Sequence, residues 1–304
     1  MDHAQWKGTT GGTTWMHRLL TATLRVLPLW MVYVAMAVLV VPGYMLFSRQ
    51  GYLSAYHFFR RHLRQSVPRA FASVYRNHVK FGQVIIDRFY AYAGGRFHFD
   101  MDNYDLYLRL SAEPSGFVVL SAHVGNYELA GYTLQAQHKH LYALVFSGEM
   151  ATVMRNRTRL FAGNNIEMVP VADDMSHLFT LSNALADGHI VSIPGDRVLG
   201  SKRTVPCAFL GQDAPFPLGP FVLATQRPVP VLAVWVMKTG LKRYRIHIEQ
   251  LPVDDQEPTA RQRAAALAAA YAGRLESIVR RYPTQWFNYY EFWNKPEDNG
   301  RHKI

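Results

Sequence analysis

Four short apolar runs, Phe117 to Ala122, Leu141 to Phe146, Ile166 to Val171 and His189 to Ile193, alternate with stretches of helical length over residues 126–138, 150–162 and 175–187. Strands separated by connections of this length are joined by helical crossovers rather than hairpins, so neighbours in the sheet run parallel. Two further runs, Val229 to Met237 and Tyr244 to Ile248, follow a Pro- and Gly-rich connection. An Ala-rich helix over about 259–281 then presents Leu267, Tyr271, Leu275 and Ile278 on one face. The pattern predicts an α/β fold with a mostly parallel central sheet flanked by helices. Neither repeats nor low-complexity tracts interrupt it, so residues 51–304 read as one domain behind an N-terminal segment of residues 1–50.

That N-terminal segment is apolar almost without break from Leu19 to Phe47, and the run Trp30 to Phe47 carries no charge. Its eighteen residues make roughly 27 Å of helix, close to the hydrocarbon thickness of a bilayer. A cleaved leader fits poorly, because the run starts late and no small-residue cleavage site precedes Arg49. A membrane helix is expected, with Trp30, Tyr33, Tyr44 and Phe47 as interfacial aromatics; a buried core helix is the alternative. Arg49, Arg60, Arg61 and Arg64 outweigh Lys7, Arg18 and Arg25, which places the bulk of the chain on the cytoplasmic side; a helix lying in the interface also fits. Residues 51–92 read as two helices with basic outer faces, one showing Tyr52, Tyr56 and Phe59 and the other Phe81, Ile85 and Phe89, before Gly94-Gly95 breaks the pattern.

With 33 Lys and Arg against 22 Asp and Glu, the net charge is +11, which calls for an anionic partner: nucleic acid, lipid headgroups or an acidic protein. Cys207 is the single cysteine, so an intrachain disulfide and a Cys-based zinc site are both excluded. The chain has no Gly-x-Ser-x-Gly elbow, His-Glu-x-x-His, P-loop or Gly-x-Gly-x-x-Gly.

In open α/β sheets, chemistry gathers where a strand ends and the next loop opens a helix. His123 stands there, in Ser121-Ala122-His123-Val124-Gly125-Asn126-Tyr127-Glu128. Gly125 permits a tight turn, Asn126 is a candidate N-cap or substrate ligand, and Glu128 falls in the first helical turn. Five positions apart on one helix the two side chains would diverge, so they meet only across a corner. Meeting there, the carboxylate would accept one ring N–H and fix the tautomer, leaving the other nitrogen to take a proton from an attacking hydroxyl. About one His-x4-acid pair is expected by chance in a chain with 13 His and 22 acidic residues, so the pair alone is weak.

Its surroundings add weight. The block His123-Val124-Gly125-Asn126-Tyr127-Glu128 resembles the His-Phe-Gly-Asn-Trp-Glu block of the lauroyl/myristoyl-transferase branch of lipid A biosynthesis, within the lysophospholipid-acyltransferase superfamily. Pro206-Cys207-Ala208-Phe209-Leu210-Gly211 with Pro217-Leu218-Gly219-Pro220 is similar to the family's Pro-Phe-Phe-Gly segment and its follow-on. Pro228-Val229-Pro230-Val231 and Tyr282-Pro283-Thr284-Gln285-Trp286-Phe287 resemble its later blocks, in family order. Two departures concern the acceptor. Ile193-Pro194-Gly195-Asp196-Arg197 replaces the branch's Asp-Gln pair and is reminiscent of the Pro-Glu-Gly-Thr-Arg block of glycerolipid acyltransferases; Tyr289-Tyr290-Glu291-Phe292-Trp293 replaces its basic end.

The resemblance implies a glycerolipid-acyltransferase-like fold and O-acyl transfer from an acyl thioester, on acyl carrier protein or on coenzyme A, to a lipid or glycolipid hydroxyl such as that of a lipid A precursor. It implies the bacterial inner membrane as location, no metal and no cofactor beyond the thioester co-substrate. His123 and Glu128 are then the catalytic pair. Asp196 and Arg197 fall in a block tied to acceptor binding or support of the pair, with a turn-capping Asp196 as the plainer reading. Arg155 and Arg159, four apart on one short helix with Arg157 between them, would grip a phosphate or phosphopantetheine, or form a solvated basic face. Two other readings stay open: a coenzyme A-dependent enzyme acting on a phospholipid or specialised lipid, and a non-enzymatic basic protein bound to membrane or nucleic acid. The first expectation assigns no nucleic-acid partner.

Overall fold

The computed structural model describes residues 14–47, 49–134, 136, 138–145, 165–172, 174, 176–198, 203–253 and 257–293. Helices α1 (Thr14–Val26), α2 (Leu29–Phe47, with a π-helical stretch at Met36–Val40), α3 (Arg49–His57) and α4 (Val67–Tyr92) precede the sheet. Pro28 stops α1 from running into α2, and Pro68 sits in the first turn of α4, where no backbone donor is lost. The remaining elements alternate. Strand β1 (His98–Asp102) leads to α5 (Tyr104–Ala112) and then β2 (Phe117–Ser121). A 3-10 turn, Tyr127–Leu129, and the short α6 (Ala130–Thr133) follow, before β3 (Leu141–Val145) and β4 (Ile166–Pro170). Next come α7 (Ser176–Ala186), β5 (Ile190–Pro194), and the hairpin β6 (Thr204–Phe209) and β7 (Gln212–Pro217). The described chain closes with α8 (Gly219–Ala224), β8 (Val231–Lys238), β9 (Arg243–Leu251) and α9 (Ala260–Arg281).

Seven strands form one sheet in the order β1-β9-β8-β2-β5-β3-β4, all neighbours parallel except β8 and β9. The mostly parallel α/β expectation holds, and the strand positions read from the apolar runs agree to within three residues. Both faces of the central strands are covered, which is why β2 and β8 are buried at every position and read as unbroken apolar runs. Val118, Leu120, Val231, Ala233 and Trp235 pack with Leu267, Tyr271 and Leu275 of α9 on one face. Phe117, Val119, Leu232 and Val234 pack with Tyr107 and Leu110 of α5 on the other.

Three expectations change. The helix predicted over 126–138 is only the 3-10 turn and α6, ending before Leu134. Residues 98–102 form an edge strand that was not anticipated: His-Phe-Asp-Met-Asp alternates polar and apolar too briefly to register. The segment read as a Pro- and Gly-rich connection holds the β6–β7 hairpin, closed by Leu210 and Gly211, both at positive φ. Its prolines are tolerated because the two strands form a sheet of their own, all edge and no centre. The basic stretch with Arg155, Arg157 and Arg159 lies outside the described residues.

Candidate active site

Strands β2 and β5 are parallel neighbours with Ser121 opposite Pro194. Continuing each chain two residues past that aligned pair reaches His123 and Asp196, so the register itself sets the two side by side. The Asp196 carboxylate takes both donors that His123 offers: Oδ1 lies 2.8 Å from Nδ1, and Oδ2 accepts the backbone N–H at 2.9 Å. Gly195 lets this happen. Its N–H donates to the Ser121 carbonyl at 2.9 Å, and a Cβ there would lie 2.9 Å from the Tyr271 ring, whose hydroxyl donates to the same carbonyl at 2.7 Å.

Glu128 sits elsewhere in the corner. The turn after Gly125 (φ +55°) points it at α4, where its Oε2 lies 3.2 Å from Arg88 Nη1 and its Oε1 accepts from the Tyr92 hydroxyl at 2.7 Å. The expectation that Glu128 holds the imidazole is therefore corrected: the carboxylate on Nδ1 is Asp196. The physical reason is that the 3-10 turn carries Glu128 round toward α4, while the loop after β5 already fills the space beside the ring. Asn126 is buried and makes no side-chain cap; its Nδ2 donates at 3.4 Å to the Val84 carbonyl and to the Tyr244 hydroxyl. Arg197 donates from Nη2 to the Phe287 carbonyl at 3.1 Å.

The corner is braced by the 3-10 turn Pro283–Gln285 and the two residues after it. Val124 bridges Trp286, the Phe287 N–H donates to the His123 carbonyl at 2.9 Å, and the Gly125 N–H donates to the Gln285 carbonyl at 2.8 Å. Gln285 is locked in turn by a reciprocal pair with the Lys238 backbone, each bond 2.9 Å. The block Gln285-Trp286-Phe287 thus works as a backbone clamp.

Beside His123 opens a cavity of about 260 Å³. Its polar mouth is His123, Tyr127, Glu128 and Arg197; its floor is one face of the sheet. Register arranges that floor in rows: Ser121, Pro194 and Val145, then Val119, Ser192, Ala143 and Met168, then Leu141 and Ile166. Two steps of two residues make about 13 Å of floor, almost free of charge. Tyr107 closes the far end, its ring 5.6 Å from Phe117 in the Leu141 row and its hydroxyl donating to the Leu134 carbonyl at 2.7 Å.

Burial and the nearby Arg197 guanidinium hold the His123 imidazole below its ordinary pKa of 6.5, against the pull of Asp196. Burial acts to raise the Asp196 carboxyl, but His123 and Arg197 together outweigh it and keep the group ionised below the usual carboxylate range. At neutral pH the pair is a neutral imidazole on a carboxylate, which is the form a general base needs. Among the described residues no three His, Cys, Asp or Glu side chains converge as a metal site requires. Sequence reasoning placed His123 but missed Tyr107, Arg88 and Tyr92; it tied Asp196, through the family block, to acceptor binding or support of the catalytic pair, and not to the imidazole directly.

A comparison with curated protein sequences finds no match. Among solved structures, the 1-acyl-sn-glycerophosphate (LPA) acyltransferase PlsC from Thermotoga maritima aligns over 86% of this chain and 97% of its own. The two chains are 12% identical, with a TM-score of 0.35. The family described as bacterial lipid A biosynthesis acyltransferase matches residues 69–295, more than half of the chain and all of the site just described. The non-enzymatic reading gives way to this match: the chain belongs to the bacterial lipid A biosynthesis acyltransferase family and is an acyltransferase.

Proposed function

We propose that this enzyme moves a fatty acyl group from a thioester on acyl carrier protein to a hydroxyl of a lipid or glycolipid acceptor, such as a lipid A precursor, at the cytoplasmic face of a bacterial inner membrane. The observation that carries the reading is the His123–Asp196 pair at the mouth of an apolar cavity. With Nδ1–H given to Asp196, Nε2 keeps its lone pair. It accepts the acceptor's hydroxyl proton as that oxygen attacks the thioester carbonyl. Arg197 supplies positive charge beside the oxyanion that forms. Collapse breaks the carbon–sulfur bond, and the imidazolium returns its proton to the departing thiolate, which leaves the ester, the free thiol and the enzyme unchanged. Neither a covalent enzyme intermediate nor a cofactor enters the scheme. The acyl tail lies on the three rows of sheet floor, and the basic surface of a chain with net charge +11 favours an acidic carrier.

The test is acyl transfer by purified enzyme with carrier-protein and coenzyme A thioesters offered in competition, read by mass spectrometry of the lipid product. The expected product is one acyl group heavier, with the carrier thioester preferred. His123→Ala is expected to lose at least about 10²-fold of this activity. Near-normal turnover in that variant removes His123 from the mechanism. Preference for the coenzyme A thioester selects the other donor.

A further inference from the structure

Helix α2 is long and apolar enough to cross a bilayer, yet it does not stand clear of the rest of the chain. Leu29, Tyr33, Met36 and Val41 are buried, and they share one apolar cluster with Leu24 of α1 and with Ile86 and Phe89 of α4. The contacts follow α4 in antiparallel order: Tyr33 hydrogen-bonds Asp87, Met36 lies against Gly82, and the Tyr44 ring is 5.9 Å from His78. Tyr33 is fastened deeper still. Lys238, at the end of β8, donates to Asp87 at 2.6 Å, to the Tyr33 hydroxyl at 3.0 Å and to the Leu241 carbonyl at 2.9 Å. The ammonium has three protons and all three are used. Tyr33, read from sequence as an interfacial aromatic, is instead a buried partner of an ion pair.

This packing is hard to reconcile with a helix crossing the membrane. If α2 ran through the hydrocarbon, α4 would be carried in beside it, and α4 exposes Arg69 and Arg76. The outward face of α2 is nonetheless bare, with Trp30 54%, Val34 53% and Val38 62% exposed. That face continues onto α4 through Tyr75, whose hydroxyl donates to the Ala37 carbonyl at 2.9 Å, and Phe71 one turn earlier. On α1, Trp15 and Leu19 are exposed as well, with Arg18 and Arg25 exposed on the same helix. Apolar side chains on adjoining helices, with arginines among them, match the boundary between acyl chains and anionic headgroups.

We infer that α1, α2 and the outer face of α4 form a monotopic docking surface for an anionic bilayer leaflet, with α2 lying in the interface and not spanning it. The inference rests on the membrane location proposed above and narrows it. Epitope tags ahead of Met1 and after Ile304, probed with a membrane-impermeant protease on spheroplasts and inside-out vesicles, are expected to be cut from the same side. Tags cut from opposite sides overturn the docking surface and leave the membrane location standing. Recovery of the tagged enzyme wholly in the soluble fraction overturns both. With purified protein and phosphatidylglycerol-containing vesicles, the double variant V34D/V38D is expected to bind at least about tenfold more weakly. Its melting temperature should not change, because both side chains are already exposed. Unchanged vesicle binding, or a wild-type dimer that hides this face and ignores vesicles, also overturns the inference.

Discussion

An imidazole is a useful base only when its neutral form prevails and one nitrogen is reserved, and His123 meets both conditions through different neighbours. Burial and Arg197 disfavour the charged ring, while Asp196 sets the tautomer by taking the Nδ1 proton. In the proposed mechanism the neutral ring is the active form, so activity is expected to rise with pH through the His123 pKa. Because that pKa is lowered, the acidic limb of the kcat/KM profile is expected below 6.5. Asp196→Asn removes an interaction that raises the His123 pKa, so the limb should move further toward acid while the plateau falls by about 10²-fold or more. A limb that moved upward would assign the titration to another group. Glu128, paired with Arg88 and Tyr92, acts on the wall of the mouth rather than on the ring.

Secondary-structure elements convert these residue preferences into a site. Two parallel strands in register bring equivalent loop positions together, which is how residues 73 apart in sequence come to share two hydrogen bonds. The same register builds the cavity floor, and α5 ends it: Tyr107 stands where a tail would run out of room. Tyr107→Ala is expected to extend the cavity and move acyl preference toward longer chains, measured as a reordered kcat/KM series across thioester lengths. Retention of the parental order would place the tail elsewhere. The corner after β2 depends on Gly125, where a Cβ would lie 2.0 Å from the Val236 carbonyl oxygen at a φ of +55°. Gly125→Ala is expected to cost about 2 kcal/mol or more of stability, seen in thermal unfolding, and to displace His123.

For the molecule as a whole, one buried ion pair joins three layers: α2 through Tyr33, α4 through Asp87 and the sheet through Lys238 and Tyr244. Burial pushes the Asp87 carboxyl up and the Lys238 ammonium down, and each group opposes the other's shift. Removing one partner strands the other, so Asp87→Asn is expected to destabilise by about 3–5 kcal/mol in detergent-solubilised unfolding. A change under about 1 kcal/mol would mean that the pair does not join the layers. The apolar runs, their spacing and the helix faces were legible in the amino-acid sequence, because burial on both faces of a parallel strand and on one face of a helix leaves a local, periodic trace. By those local traces the sequence itself determined an α/β chain, an apolar N-terminal helix and a histidine at a strand end. The partner of that histidine, the closed end of the cavity and the course of α2 along α4 were decided only in the tertiary structure. Each depends on which strands become neighbours and how helices lie on one another, and such long-range contacts leave no period in the chain that makes them.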